Sequence, residues 1–275
     1  MSAITDLHAL RDRLAPSARM PVVFLGHGSP MNALEDTPYS QSWTALGQSL
    51  PEPAAILVVS AHWMTRGTTL VDVSALPKTI HDFYGFPDAL YAMDYPAPGN
   101  PGLAREVVSL LASHHSAEDD TWGLDHGAWT VLRFLYPQAK VPVFQVSIDM
   151  ARGLEHQLEV GRTLAQLRDR GVLILGSGNV VHNLRAMRFG GQPLDFALEF
   201  DRLFADRLEA RDLKPLADAN GLGALLRMAH PTVDHYMPAL TIAGASDARD
   251  QLSFMTDAID LGSVSMRSFV FHQGV

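Results

Sequence analysis

The 275-residue chain contains no cysteine. That absence removes disulfides and thiolate ligands together, so any metal site must be built from His, Asp or Glu. Positive charge is also short. Lys and Arg number 21 against 30 Asp and Glu, a formal net charge of −9, and no basic cluster occurs. A nucleic-acid or anionic-membrane partner is not expected from such a balance. No uninterrupted apolar run approaches the roughly 18 residues of a membrane span. Asp6, Arg11, Asp12 and Arg13 crowd the stretch where an apolar signal segment would lie, so the cytoplasm is the expected compartment. Low-complexity tracts and solenoid repeats are missing as well. What remains, 47% hydrophobic and 19% charged, is the make-up of a globular chain with a core to bury.

The stretch that organises the sequence is Val22-Val23-Phe24-Leu25-Gly26-His27-Gly28-Ser29-Pro30. Four apolar residues, two of them β-branched, read as a short buried strand. The strand stops at a histidine held between glycines, which leave room beside the ring for a ligand. The device recurs. Ala54–Val59 runs into Ser60-Ala61-His62-Trp63, and Val172–Leu175 runs into Gly176-Ser177-Gly178-Asn179-Val180-Val181-His182-Asn183.

Around these strands the spacing of apolar residues predicts a polar lead-in over 1–19 with a helix at Thr5–Leu14. Further helices are expected at Tyr39–Leu50, Gly102–His114, up to Tyr136, from Leu154 to Gly171, at Leu194–Leu208 and at Pro215–Met228. Strands are expected at Thr68–Val73 near a sheet edge, at Val141–Ile148 and, closing the sheet, at Ser263–Phe271. Residues 77–101, rich in proline and aromatics, read as an ordered excursion that covers something. Alternating helices and buried strands give an α/β fold. It is expected to be a single catalytic domain over 1–275, with a mainly parallel or mixed sheet flanked by helices. The active site then belongs at the carboxyl ends of the strands.

His27, His62 and His182 all follow predicted strands, and His235 follows the turn at Pro231. Widely spaced histidines at strand ends can converge on one metal, and neutral imidazole is a common nitrogen ligand. No His-Glu-x-x-His, no Gly-x-Ser-x-Gly elbow and no phosphate loop occurs. Residue types alone leave two readings open for a mononuclear metalloenzyme. One is a zinc hydrolase in which the metal acidifies a water; the other is a non-haem Fe(II) oxygenase.

Further motifs are His81-Asp82-Phe83-Tyr84-Gly85-Phe86-Pro87, Tyr95-Pro96-Ala97-Pro98-Gly99, Gly123-Leu124-Asp125-His126-Gly127 and His235-Tyr236-Met237-Pro238. With the three histidine loops, and in this order, they resemble the 4,5-DOPA extradiol dioxygenase family. That family is a branch of the LigB-like, class III extradiol ring-cleavage dioxygenases, and the likeness runs from about Met20 to Phe271. The resemblance implies cleavage of a small catechol, L-DOPA or one like it, by O2 at one divalent metal. Fe(II) would serve activity, and Zn(II) is expected in purified protein. It implies His27, His62 and His235 as ligands, and His182 as an acid/base that can also lie at the metal. His126 would be a catalytic residue touching substrate or oxygen, and His81 with its neighbouring aromatics a substrate contact on the wall of the pocket. Zinc-dependent hydrolysis at the same site is the alternative.

Overall fold

Side-chain alternation along the strands decides the architecture. Val22 and Phe24 of the first strand point into one apolar layer, Val23 and Leu25 into another. Leu57 and Val59 likewise oppose Ile56 and Val58, and Ile174 opposes Leu173 and Leu175. Strands apolar on both faces must be covered on both faces, which requires helices on each side of the sheet. The computed structural model describes residues 19–273, so the helix expected at Thr5–Leu14 lies outside the described residues.

Six strands form the central sheet: β1 (Val22–Gly26), β2 (Ala55–Ser60), β3 (Val143–Gln145), β4 (Val172–Gly178), β5 (Gln251–Thr256) and β6 (Ser268–His272). Their order is β3-β2-β4-β1-β6-β5. The first four are parallel, while β6 runs antiparallel to β1 and β5 antiparallel to β6. The sheet is therefore mixed. Helices α1 (Pro38–Ser49), α2 (Pro101–Leu110), α3 (His126–Leu135), α4 (Leu154–Leu164), α5 (Asp195–Glu209), α6 (Ala219–Ala229) and α7 (Met237–Ala245) cover it. Trp43 and Leu46 of α1 and Trp129 and Leu132 of α3 pack on one face. The other helices supply the opposite layer, including Phe200 and Phe204 of α5. Every residue of α7 is buried, as expected of a helix that is apolar all round and lies in the core.

Several expected boundaries shift. Thr69–Asp72 is a strand, but it pairs in parallel with Ser116–Asp119 outside the main sheet rather than at its edge. The polar Ser-Ala-Glu-Asp sequence of that partner carries no apolar alternation to announce it. Edge strand β5 is likewise unheralded. The run Val141–Ile148 divides into β3 and Ile148–Asp149, which pairs with Met64–Thr65. Ser263–Phe271 divides too, into Val264–Ser265 and β6. The helix begun at Pro101 ends at Leu110 and gives way to a 3-10 turn, Ala112–His114. Residues 77–101 are ordered around a single helical turn, Asp88–Tyr91. Among the described residues no helix is long and apolar enough to cross a membrane.

Candidate metal centre

Strand register brings the chemistry to one level. Ser177 of β4 pairs with Leu25 of β1 on one side and Ser60 of β2 on the other. The ladder runs one residue further on both sides: His27 N–H donates to Gly178 O and Ala61 N–H to Ser177 O, each at 3.0 Å. His27 and His62 thus leave the sheet from the two strands that flank β4. The third histidine comes from the turn before α7, where Asn179 N–H donates to the His235 carbonyl at 2.9 Å. Glycine is needed beneath that contact, because a Cβ on Gly178 would lie 2.3 Å from the same carbonyl. Three remote segments meet at the carboxyl end of β4.

One nitrogen each of His27, His62 and His235 lies within 4.8 Å of the others. Hydrogen bonds to His27 and His235 fix which of their nitrogens face inward. Ser177 Oγ–H donates to Gly127 O at 2.5 Å, so Ser177 can only accept from His27 Nδ1–H, 2.9 Å away. The lone pair of His27 is therefore on Nε2. Asp234 Oδ2 lies 2.5 Å from His235 Nδ1 and Asp82 Oδ2 lies 3.4 Å from His62 Nδ1. A carboxylate accepts only, so Asp234 holds a proton on His235 Nδ1 and leaves its Nε2 bare, while Asp82 is an ionic neighbour of the His62 ring without a hydrogen bond to it. His27 Nε2 and His62 Nε2 face each other at 3.2 Å. With His27 Nε2 bare, this separation suits an N–H···N hydrogen bond from His62 in the metal-free protein and equally a cation held between the two nitrogens. Nitrogens about 2.0–2.1 Å from a tetrahedral cation stand about 3.3 Å apart. The donor set fits a divalent metal.

Charge agrees with geometry. Burial, then the neighbouring histidines, lowers His27 and His235 well below the usual imidazole range. Burial, with His126 nearby, lowers His62 to about 3 despite the opposing pull of Asp82. Burial raises Asp82, but the hydrogen bond and charge of His126, with the charge of His62, outweigh it and bring the carboxyl to about 2. At neutral pH the site therefore presents neutral imidazoles backed by ionised carboxylate, the protonation states that metal binding requires.

The other expected site residues are placed differently. His182 stacks on His235 with ring centroids 3.5 Å apart and planes 6° apart. It groups with Asp234 and His235, not with the His27–His62–His235 trio. Burial lowers it to about 4, against the charge of Asp234. His126 lies against His62, centroids 3.9 Å apart. His81 stands further out: its Nε2–H donates to Met93 O at 2.9 Å, and its ring contacts Phe83 and Trp129. Phe83 in turn meets His126 edge-on at 5.5 Å. His230, whose Nε2–H donates to Val180 O at 2.7 Å, is a core residue that braces the loop before His182.

Sequence reasoning overlooks the supporting shell. Ser177, Asp82 and Asp234 all sit beside motif histidines or in a motif loop, but only the folded geometry aims them at ring nitrogens. Gly127 is overlooked too. A Cβ there would lie 2.6 Å from Ser60 Oγ and 2.8 Å from His62 Cδ2. Overpacking of this kind costs about 1–3 kcal/mol. Gly127→Ala is expected to keep the fold by circular dichroism but weaken zinc binding about tenfold or more in chelator competition. Unchanged affinity would contradict the tight seating of His62.

Buried neutral histidines also set an acid limit. In the unfolded chain His62, His182 and His230 take protons near 6.5, while in the folded, metal-free protein they do so only at about 3, 4 and 3. Their contribution is present above pH 6.5 and is lost as pH falls toward the folded values. Between pH 7.5 and 5.5 these three groups remove about 4 kcal/mol from the metal-free protein. Urea midpoints measured across that window check it; a flat profile would overturn it.

Comparison with known proteins follows the same line. A family profile described as the catalytic LigB subunit of aromatic ring-opening dioxygenase matches residues 21–267. A 4,5-DOPA dioxygenase extradiol of Escherichia coli (strain K12) is 46% identical over 268 residues, covering 94% of this chain and 97% of its own. One from Beta vulgaris is 35% identical over 260 residues, covering 90% and 95%. A crystal structure of the uncharacterized Escherichia coli K12 protein JW3007 superposes with a TM-score of 0.80 at 40% identity, over 92% of this chain and 100% of that one. Sequence, fold and relatives agree that the chain belongs to the LigB family of aromatic ring-opening dioxygenases, as an extradiol dioxygenase.

Proposed function

We propose that the protein cleaves the ring of a small catechol, L-DOPA or one of similar size, with O2, using a single Fe(II) held by His27, His62 and His235. The observation that carries this reading is the convergence of one nitrogen each of His27, His62 and His235 within 4.8 Å, with His27 Nε2 and His62 Nε2 3.2 Å apart. Fe(II), when bound, supplies a redox-active Lewis acid at which an electron-rich catechol and dioxygen can react. Three neutral histidines leave the metal's charge uncompensated, which favours a substrate that has lost its hydroxyl protons. His182, unprotonated at neutral pH, accepts a hydroxyl proton on its ring nitrogen and returns it later in the cycle. Proton transfer of this kind contributes roughly 10²–10⁴ in rate. His126 faces substrate or oxygen from the His62 side. Phe83, half-buried against His126, forms an apolar wall that limits water, with His81 behind it at the outer rim. Ligands drawn from residue 27 to residue 235 make the chain one catalytic unit.

The test is anaerobic reconstitution of metal-free protein with Fe(II), followed by oxygen-electrode measurement with L-DOPA and a panel of catechols. One O2 consumed for each catechol, with a yellow ring-opened product, is expected. No uptake across the panel by fully loaded protein would overturn the reading and favour zinc-dependent hydrolysis at the same residues.

A further inference from the structure

Three neighbouring parallel strands, apolar on both faces, each carry a polar side chain at the end nearest the histidines. Ser60 closes β2, Gln145 closes β3 and Ser177 stands one residue from the end of β4; all three are fully buried. Buried polar groups need partners, and these find theirs at the start of α3. Ser177 Oγ–H donates to Gly127 O at 2.5 Å. Ser60 Oγ–H donates to Asp125 Oδ1 at 2.6 Å, and Gln145 Nε2–H to Asp125 Oδ2 at 3.0 Å. Asp125 is itself fully buried and is the N-cap of α3, its Oδ1 accepting the Ala128 N–H at 3.1 Å. Trp122 Nε1–H brings a fourth donor to Oδ2 at 3.3 Å. One carboxylate thus gathers β2, β3, the loop before α3 and α3 itself.

The site histidines stand on either side of that junction. Ser60 Oγ, its proton directed at Asp125, accepts the backbone N–H of His62 at 3.3 Å. His126 is the first residue of α3, and its ring lies against that of His62 with centroids 3.9 Å apart. We propose that Asp125 is a positioning residue: by drawing Ser60 onto the cap of α3 it sets how the His62 and His126 rings stand against each other. Capping alone needs only the bond from Ala128; the bonds from Ser60 and Gln145 go beyond it and join the helix to two strands. A carboxylate accepts on both oxygens. An amide in its place turns a donor either toward Ser60 and Ala128 or toward Gln145 and Trp122, and in a buried network such a mismatch moves the groups apart. This inference rests on the reading in which His62 holds the metal and His126 faces the substrate.

The test uses the full chain loaded with Co(II), whose visible d–d bands report the geometry of the ligand set. Asp125→Asn and Ser60→Ala should each shift those bands and weaken Co(II) binding about tenfold or more in chelator competition. Both cut one link, so the double variant should lose less affinity than the product of the single effects. Asn100→Ala is the control: it removes the side-chain cap on Leu103 N–H of α2, in the opposite layer. It should lower the urea midpoint and leave the bands and the affinity where they were. Should Asp125→Asn fail to fold, Ser60→Ala carries the same prediction, because it breaks the link and spares the carboxylate. Variants that lose stability as the control does, with bands and affinity unmoved, would make Asp125 a helix cap and overturn the proposal. Independent effects in the double variant would overturn it too. Neither readout needs oxygen chemistry. A protein that cleaves no catechol yet shows the coupled band shifts would sink the dioxygenase reading and leave the positioning role standing.

Discussion

Replacing His235 by alanine is expected to empty the metal centre. The residue is one of three whose donor nitrogens converge within 4.8 Å, and its Nδ1 is held by Asp234 at 2.5 Å, which fixes the inward nitrogen before any metal arrives. Loss of an outer partner alone costs 10- to 100-fold in affinity, so loss of a donor should cost about 10³-fold or more. The fold should survive, because Tyr236 and Met237 beside the site stay buried in the core and α7 keeps its apolar contacts. Metal content by mass spectrometry after dialysis, with circular dichroism as control, decides it. A variant that still carries one metal per chain at unchanged affinity would remove His235 from the ligand set.

His182→Ala should give the opposite pattern: metal and catechol retained, turnover reduced roughly 10²- to 10⁴-fold. His182 stacks on His235 instead of joining the trio. Its backbone is anchored on both sides, with its N–H donating to Ala229 O and a bridge to Val264. Removing the ring therefore leaves the loop in place and deletes only the proposed proton carrier. The discriminating pair of measurements is metal stoichiometry and oxygen consumption on one preparation. Loss of metal together with activity would make His182 a ligand, while normal turnover would deny it any part in proton transfer.

These contrasting expectations mark how far the site can be read from the chain. The strand-end histidines are legible because a buried apolar run that breaks at a histidine beside glycine is unusual locally, with no need to know the fold. Their assembly into a trio is not, since it depends on β4 lying between β1 and β2 and on the turn before α7 dropping onto Gly178. The partners are hidden for a related reason. Ser177 meets His27 across 150 residues, and nothing in the composition near either one announces the pairing. Among the elements, strands with apolar faces declare themselves, whereas the polar Ser116–Asp119 and the edge strand β5 owe their pairing to neighbours and carry little signal of their own. The excursion over 77–101 is recognisable as an ordered segment, but the contacts that Asp82 makes from it with His62 and His126 rest on atomic distances.

The spread of the ligands along the chain has a consequence for biogenesis. During synthesis His27 and His62 emerge long before His235, and β1 waits for β4 and then β6 to fill its two sides. No amino-terminal fragment of the nascent chain can therefore present all three donors. On the proposed ligand set, metal loading is expected to follow translation of most of the chain, when the sheet has closed around β4. The cation acquired is then chosen from whatever divalent metals are free in that compartment at that moment, because all-imidazole donors rank metals by intrinsic affinity more than by ionic size. On that reading, expression conditions as much as the site itself are expected to decide which metal the finished protein holds.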